Sequence, residues 1–480
     1  MAKAKSLGEN AVLNIIKQCC NILFPLVTYP YIVRVLGDAN IGRYSFADSI
    51  VQYFIIAATL GAPGYAIREG ARIRDDKERI VRFTAEIFTI NTLTLVVSYV
   101  LLVICVFFVD RIRQDAVLVM ILSINIVTSV VGRDWINTIY EDFAFITIRY
   151  IVCQLLSLIL MFVFVKDVGD TLVYTSISLV ATSGAQLINI FYTWKKIPFR
   201  LVISKHIFKH LKPIGYMCAI SVASIIYINS DVTILGFFRT DEEVGTYYIV
   251  SKIYTILKAL INAIIMVIIP RMSFCLGKAD YEGYNRILSN TRSILLTLVV
   301  PCATGIVALS ENVIQLINPQ SAFAGVTTLR ILSFTVVVAA FAYFYSSCVL
   351  IPNKKENLFL IATSAAAVLN ACLNFIMVPL LGINGAAITT LIAEILVMGM
   401  CKRYSAGFHG KFQKENMVPI IVGSVAILVV CNTIMLFQLN VILETVIAIA
   451  LSVIVYPLIL LIYRNPFALS ALRIISRKAG

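Results

Sequence analysis

The chain contains few charged residues: only 14% of its 480 residues are Asp, Glu, Lys or Arg, whereas 60% are hydrophobic. Soluble globular proteins carry about a quarter charged residues, so this composition excludes a soluble globular protein. It also excludes a disordered chain, which combines low hydrophobicity with high net charge. The sequence has no polar stretch long enough to form a soluble domain with its own core. The protein is therefore expected to act within a membrane.

Patterns typical of enzymes and metal sites are missing as well. The sequence has no P-loop, GxSxG or HExxH motif, so we expect no ATP hydrolysis and no such catalytic centre. Its 11 cysteines form no CxxC pair and lie mostly in apolar runs, which favours small apolar side chains over disulfides or metal ligands. His206 and His210 share a hydrophilic loop without a third ligand. The sequence predicts no enzyme, no cofactor and no metal site.

Long apolar runs fill the sequence instead. Runs of about 20 apolar residues recur from end to end, and each could cross a membrane as a helix. The mean hydropathy is +0.90. The sequence predicts an all-α polytopic membrane protein with fourteen transmembrane helices, near residues 11–35, 44–66, 83–108, 116–138, 147–166, 171–194, 213–238, 245–269, 291–309, 326–351, 357–379, 384–401, 418–437 and 441–463.

The positive charge is distributed unevenly between these spans. The net charge is +14, and alternate loops share their Lys and Arg residues in a ratio of about four to one. Because cytoplasmic loops hold most of the cations, this split places both termini in the cytoplasm. The cations are thereby explained by topology, and no nucleic-acid partner is expected.

An internal repeat indicates two similar halves. The segment VRVLGDANIGRYSFADSIVQYF (33–54) is echoed by VTILGFFRTDEEVGTYYIVSKIYTIL (232–257), with the glycine pairs Gly37/Gly42 and Gly236/Gly245 in matching places. Chance recurrence at helix ends is the alternative. Duplicated lobes around a substrate path are typical of alternating-access carriers. The repeat predicts a six-helix lobe (1–200), a basic cytoplasmic linker (201–212), a second six-helix lobe (213–403), and helices 13 and 14 with a basic tail (404–480).

Polar residues inside the spans indicate the working surface, because polar groups in hydrocarbon face a cavity or the bundle interior. They recur at helical spacing in spans 1, 2, 7 and 8, which are the first two helices of each repeat. The stripes would converge if the two lobes face each other across a central cavity. Their candidate substrate-binding members are Asn14, Lys17, Asn21, Gln52, Tyr254, Lys258 and Asn262.

Two lysines and four carboxylates carry the charge in these spans. Lys17 and Lys258 lie too deep to reach a headgroup easily, so each needs an anionic partner. That partner is either Asp48 or Asp231, or a phosphate-bearing substrate. The carboxylates suited to proton or cation coupling are Asp48, Glu86, Asp231 and Glu394. For Glu86 and Glu394, a hydrogen bond to a neighbouring helix is an equally good interpretation.

Several longer motifs resemble those of a known family. They are YIVRVLGDANIGRYSFADSI (31–50), AIREGARIRD (66–75), RDWINTIYEDFAFITI (133–148), DVTILG with VGTYYIVSKI (231–253), IIPRMS (268–273) and VLNACLNFIMVPLLGINGAAITTLIAEI (368–395). In order and spacing, the chain resembles the polysaccharide repeat-unit flippases (the O-antigen, Wzx-type family). That family lies in the multidrug/oligosaccharidyl-lipid/polysaccharide exporter superfamily. The resemblance covers nearly the whole chain, although RDWINTIYED lacks the glycine often found after its Asp-Trp pair.

The resemblance implies a carrier that moves an undecaprenyl-pyrophosphate-linked oligosaccharide from the inner to the outer leaflet of the bacterial cytoplasmic membrane. It implies a cationic cavity, which suits Lys17 and Lys258, with Arg34, Arg133 and Arg330 at the rims. The expected partners are this lipid-linked oligosaccharide, a coupling proton or sodium ion, and the polysaccharide polymerase with other assembly proteins.

Two other functions fit parts of the sequence: export of a different compound, and catalysis of polysaccharide assembly. A cation-coupled exporter of drugs, or of another lipid-linked precursor, belongs to the same superfamily. Drug sites favour acidic and aromatic linings for cationic compounds, so the buried lysines argue against a drug exporter. A membrane enzyme of polysaccharide assembly is disfavoured by the missing external domain. The sequence leaves the sugar composition and the coupling ion open.

Overall fold

The computed structural model describes residues 7–202, 204–319, 324–407, 417–466 and 468–469. Its helices are α1 Leu7–Thr59, α2 Ala62–Ile73, α3 Lys77–Phe108, α4 Asp110–Gln114, α5 Ala116–Leu122, α6 Ile124–Val131, α7 Asp134–Ile139, α8 Phe143–Phe164, α9 Thr171–Leu179, α10 Ala185–Lys196, α11 Phe208–Phe238, α12 Asp241–Gly277, α13 Tyr281–Ala308, α14 Ser310–Ile317, α15 Val326–Phe344, α16 Glu356–Tyr404, α17 Met417–Met435 and α18 Val441–Ile462.

The described residues contain twelve helical stretches that are long and apolar enough to cross a membrane. Two of them hold two crossings each, because α1 is interrupted at Gly37 and α16 at Gly382. Both glycines have positive φ, +76° and +58°, a backbone conformation that side chains bearing a Cβ rarely adopt. The described chain therefore has fourteen crossing segments, which confirms the predicted all-α membrane fold.

Contacts divide the chain into two compact units, residues 1–245 and 246–480. Unit 1 has an apolar cluster in which α2 and α3 pack around Trp135 and Ile214. Unit 2 has its largest cluster between α12, α13 and α15, centred on residues such as Leu295 and Val336. The unit boundary lies after α11, because α11 packs on α1 and α2. The repeat groups α11 with the second lobe, so its lobe boundaries at 200 and 213 stay a prediction.

Within unit 1, two glycines of the repeat pack directly against each other's helix. A Cβ atom on Gly42 would lie 1.8 Å from the carbonyl oxygen of Asp241, and one on Gly245 would lie 2.0 Å from that of Asp38. Gly42 thus faces Asp241, one turn before Gly245, and Gly245 faces Asp38, one turn before Gly42. This reciprocal contact joins the second half of α1 to the first turn of α12, and only glycine permits the approach.

A charged network lies at the same end of unit 1. Asp115, whose side chain is 1% exposed, pairs with Arg43 at 2.6 Å and with Arg111 at 3.0 Å. Arg111 also pairs with Asp241 and donates a hydrogen bond to the carbonyl oxygen of Gly236 at 2.7 Å. Two guanidinium groups thus balance two carboxylates, which keeps the buried charges paired. The network ties the loop before α5 to both helices of the glycine contact.

The uneven distribution of basic residues predicts which ends of the helices face the cytoplasm. Arg113, Lys77 and Lys205 can each be replaced by a single cysteine. A membrane-impermeant thiol reagent should label the cysteine at position 113 from outside intact cells, but those at positions 77 and 205 only after permeabilisation. Lys411 and Arg477, which should behave like Lys77, lie outside the described residues. Labelling of Lys77 and Lys205 on opposite sides would contradict the number of crossings between them.

Candidate functional site

One group of candidate residues lies in unit 1, around Lys17 on α1. Its ammonium Nζ atom lies 5.6 Å from the centroid of the Tyr150 ring, a cation–π distance. Among the described residues Lys17 makes no ion pair, although it interacts electrostatically with Asp134 and Arg149. The predicted partners Asp48 and Asp231 are not the carboxylates near it. Lys17 is therefore a half-buried cation with no carboxylate bound to it directly.

Asp134 and Arg149 form an ion pair beside this lysine. The Arg149 side chain is 4% exposed, whereas that of Asp134 is 41% exposed. Arg149 also donates to the carbonyl oxygen of Ala185 at 2.9 Å. The carboxylate of Asp134 accepts further hydrogen bonds from Gln186 and Asn189, both at 2.9 Å. One carboxylate thus stands against two cations, so the group formed by Lys17, Asp134 and Arg149 keeps a net charge of +1.

Buried amides hold Asp134 in place. Asn189, on α10, donates to the carbonyl oxygen of Gly132 and accepts from Asn137, both at 2.5 Å.

Arg133, just before α7, has φ +50° and is 1% exposed. Its guanidinium carbon lies 3.5 Å from the centroid of the Phe199 ring. Arg133 is thus enclosed in packing, and the cavity rim expected from the resemblance is not its environment.

The turn between α7 and α8 carries a second carboxylate of this region. Burial alone raises the pKa of Asp142, but hydrogen bonds from Tyr192 and Lys196 outweigh it and hold the pKa below the usual range. Lys196 Nζ lies 2.9 Å from the Asp142 carboxylate. The end of α10 is therefore tied to this turn while Asp142 is ionised.

The other predicted members in unit 1 are spread along α1. Asn21 is exposed and donates to Gln18 at 3.4 Å, and Arg34 is exposed. Gln52 donates to the carboxylate of Asp48 at 3.4 Å on the second half of the helix. Asp231 is buried on α11, and the side chain of Asn14 lies outside the described ones. Asn21 lies one turn from Lys17 on α1, whereas Gln52 and Asp48 lie on the second half of that helix and Asp231 lies on α11.

A separate group of candidate residues lies in unit 2. Lys258 Nζ, on α12, lies 2.7 Å from Oε1 of Glu394, and the Tyr254 hydroxyl donates to the same oxygen at 2.9 Å. The Glu394 side chain is 4% exposed and that of Lys258 is 30% exposed. Of the two alternatives for Lys258, the internal partner is thus Glu394 and neither Asp48 nor Asp231, while a phosphate-bearing substrate stays a prediction. Glu394 is its partner because the second half of α16 lies beside α12 within the same unit.

The break in α16 positions Glu394. Beyond Gly382 the chain returns against its own first half, where Asn374 accepts from the hydroxyl of Thr389 at 2.5 Å and donates to Asn370 at 3.2 Å. These buried amides join the two halves of the helix. Asn262 is half-buried one turn beyond Lys258. Arg330, on α15, is exposed and donates hydrogen bonds to the hydroxyl of Ser310 and to the carboxylate of Glu311.

Glu86 belongs to a separate buried cluster in unit 1. Its carboxylate pairs with Arg82 at 3.2 Å, Lys209 at 3.4 Å and His210 at 2.8 Å. His210 is 2% exposed within α11, which corrects the expectation that it lies in a hydrophilic loop. Residue composition alone gave no sign of its burial. The contacts of Glu86 with α11 agree with its interpretation as a partner of a neighbouring helix. Its role in coupling stays a prediction.

Lys17 in unit 1 and Lys258 in unit 2 are intramembrane lysines that each lie near a tyrosine ring and amide side chains. Cations of this kind bind phosphate oxygens, and amides and phenols hydrogen-bond sugar hydroxyls. In the described residues no three His, Cys, Asp or Glu side chains are grouped as a metal site. The sequence reasoning overlooked Asp134 and Arg149. Their charges inside spans 4 and 5 were a signal that could have identified them.

Comparisons with known proteins agree with this description. Residues 7–275 match the model of a family described as "Polysaccharide biosynthesis protein". A relative from Escherichia coli K12, named "Putative O-antigen transporter", is 26% identical over 402 residues, covering 82% of this chain and 95% of that protein. A relative from Haloferax volcanii, named "Probable low-salt glycan biosynthesis flippase Agl15", is 25% identical over 308 residues, covering 62% of each chain.

Solved structures show the same fold. The lipid II flippase MurJ in an inward closed conformation has a TM-score of 0.75 at 15% identity, covering 95% of this chain and 99% of MurJ. An inward-facing MATE family transporter of the MOP superfamily has a TM-score of 0.55 at 14% identity, covering 81% and 98%. The relatives are named as transporters and flippases, which agrees with the prediction that the protein is not an enzyme. The resemblance predicted from the motifs is confirmed, and the chain belongs to the polysaccharide biosynthesis protein family.

Proposed function

We propose that the protein is a flippase that moves an undecaprenyl-pyrophosphate-linked oligosaccharide repeat unit from the inner to the outer leaflet of the bacterial cytoplasmic membrane. In this proposal it works by alternating access, with both termini in the cytoplasm. The names of its relatives support transport of a polysaccharide precursor. The intramembrane cations support a lipid whose head carries phosphate.

The observation that carries the proposal is the environment of Lys17. A cation inside a membrane segment needs an anion, and Lys17 makes no ion pair among the described residues. The nearby carboxylate of Asp134 is already bound to Arg149 and two amides. A pyrophosphate would supply the missing anion and bind to an ammonium and a guanidinium together.

Lys258 has a different part in the proposal. Its ammonium is bound to Glu394 at 2.7 Å. A pyrophosphate reaching Lys258 would compete with that carboxylate, so cargo binding would release Glu394 from its ion pair. Tyr254 and Asn262, one turn to either side, would hydrogen-bond the sugar hydroxyls. Glu394, one of the carboxylates predicted for coupling, would then retain the hydrogen bond from Tyr254.

Deletion of the gene tests the proposal in the cell. We expect lipid-linked repeat units to accumulate on the inner leaflet, because their synthesis continues while their transfer stops. The surface polysaccharide should disappear, and a plasmid copy of the gene should restore it. Accumulation is measured by extracting the lipid-linked oligosaccharides and testing their accessibility to a glycosidase in inverted and right-side-out vesicles. Repeat units that reach the outer leaflet at the normal rate without the gene would refute the proposal.

A further inference from the structure

A buried chain of hydrogen bonds in unit 1 lies outside the group of residues proposed to bind the cargo. The hydroxyl of Tyr65, on α2, lies 2.8 Å from Nδ1 of His210, and Nε2 of the same ring lies 2.8 Å from the carboxylate of Glu86 on α3. His210 is 2% exposed and the Glu86 side chain 1% exposed. The chain therefore connects α2, α11 and α3 through one imidazole. Imidazole is the side chain that ordinarily changes its charge near neutral pH.

We propose that His210 and Glu86 form the proton-binding site through which the protein is coupled to pH, with the proton as the coupling ion. This inference rests on the proposed flippase function, whose coupling ion it names. It assigns the proton to the imidazole, whereas the sequence offered only carboxylates as candidates.

The neutral imidazole satisfies all of its contacts. Its Nε2–H donates to ionised Glu86, while its Nδ1 accepts the proton of the Tyr65 hydroxyl. A proton taken up at Nδ1 reverses the second bond, because Nδ1–H must then donate to the phenol oxygen. The phenol proton has no other acceptor among the contacts of the described residues. Protonation therefore reverses the hydrogen bond between α2 and α11 and leaves the phenol proton without an acceptor among the described residues.

The space at Glu86 favours a proton over a metal cation. Glu86 is contacted by Arg82 and Lys209, whose side chains are 57% and 58% exposed and whose positive charges oppose any added cation. A sodium ion would also have to displace these two side chains from the Glu86 carboxylate. A proton needs no such space, since it adds to a ring nitrogen already in place. Glu69 on α2 also interacts electrostatically with His210. The further charged groups of the neighbouring elements are Arg68 and Arg72 on α2, Lys77, Glu78 and Arg79 on α3, Lys205 in the turn before α11, and Lys212 on α11.

The position of the cluster gives the expected direction of the effect. Lys205 and Lys77, at the neighbouring helix ends, belong to the loops predicted to be cytoplasmic. A proton bound at His210 would have to leave toward the cytoplasm before the next cycle. We therefore expect acidification of that side to slow flipping, with the change falling between about pH 5 and pH 8.

The first arm of the test measures the proton directly and needs no cargo. The chain has 3 histidines, so the double variant His206→Gln/His409→Gln leaves His210 as the only imidazole with its site unaltered. Its ring nitrogens, labelled with 15N, are followed by NMR in detergent. We expect one imidazole that titrates between about pH 5 and pH 8, and Glu86→Gln should move that titration to lower pH. A ring that keeps one protonation state throughout would overturn the proposal.

The second arm measures flipping in proteoliposomes while the pH of each side is varied separately. His206→Gln is the matched control, because His206 lies one turn earlier and is exposed. We expect the wild type and this control to slow on acidification, and His210→Gln to lose the dependence. If His210→Gln fails to fold, Tyr65→Phe replaces it and should shift the dependence. Retained dependence in these variants, with loss in Asp231→Asn, would overturn the assignment. A titrating ring without any flipping would instead contradict the proposed function.

Discussion

Replacing Lys17 by methionine is expected to reduce export of the repeat unit by about tenfold to hundredfold, because a hydrogen bond to a charged group contributes about 1.5–3 kcal/mol. Methionine keeps the length of the side chain and removes only the ammonium. Since Lys17 has no ion-pair partner among the described residues, its loss strands no buried carboxylate. The variant should therefore be as abundant in the membrane as the wild type. Export is measured from the surface polysaccharide and abundance by immunoblot.

Lys252 provides the matched control. It is also a half-buried lysine above a tyrosine ring, with Nζ 4.5 Å from the centroid of Tyr248. It lies off the polar stripe of α12, so Lys252→Met should export normally. Lys17→Arg should retain most of the activity, because a guanidinium also binds pyrophosphate. Normal export by Lys17→Met would show that the cargo is bound by other groups.

Lys258 calls for a different design, because its removal alone would leave Glu394 buried and unpaired. Breaking a buried ion pair in that way costs about 3–5 kcal/mol. The double variant Lys258→Met/Glu394→Gln removes both charges and avoids this penalty. We expect it to be folded and inactive if Lys258 binds the pyrophosphate. An active double variant would assign Lys258 the role of a structural partner of Glu394.

Replacing Gly42 by valine is expected to destabilise the protein by about 3 kcal/mol or more, because overpacking against rigid atoms cannot be relieved by a rotamer change. The new Cβ would lie 1.8 Å from a backbone carbonyl oxygen of α12, so α1 and α12 must separate. Thermal unfolding in detergent should occur at a clearly lower temperature, and less protein should accumulate. Gly245→Val should have the same effect, since its Cβ would meet the carbonyl oxygen of Asp38 at 2.0 Å.

Gly399 is the control for this experiment. It lies within α16, and a Cβ added there meets no atom within 4 Å. Gly399→Ala should be neutral or stabilising, because alanine is the better helix former. Unchanged stability of both Gly42→Val and Gly245→Val would show that the two helices are not in close contact at this point.

Hydrophobic length determined most of what could be predicted about the fold. Fourteen apolar runs correspond to fourteen crossing segments, because a helix is the simplest way to satisfy the backbone in hydrocarbon. Gly37 and Gly42 were predicted to lie between the first two spans, and α1 is interrupted at Gly37, whereas Gly42 lies within the helix that follows. Sequence reasoning did not show that Gly42 faces Gly245, since such a contact depends on how two distant segments pack.

The site was less predictable for the same reason. Helical spacing grouped Lys17 with its neighbours on α1, whereas the groups beside it in space are Asp134, Arg149 and Tyr150 from later helices. The partner expected for Lys258 was Asp48, Asp231 or a phosphate-bearing substrate, whereas Glu394 was considered for coupling or for a hydrogen bond to a neighbouring helix. Periodicity identifies the residues on one face of a helix. It contains no information about which other helix that face meets.

The central claim concerns the pyrophosphate, and reconstituted flipping measures it most directly. Purified protein is placed in liposomes that contain one fluorescent oligosaccharide, linked to undecaprenol through either a pyrophosphate or a monophosphate. The rate at which an added reductant reaches the label reports transfer between leaflets. We expect the wild type to flip the pyrophosphate lipid faster than the monophosphate lipid, and Lys17→Met to lose that difference. Equal rates for the two lipids, or no rate above protein-free liposomes, would contradict the account.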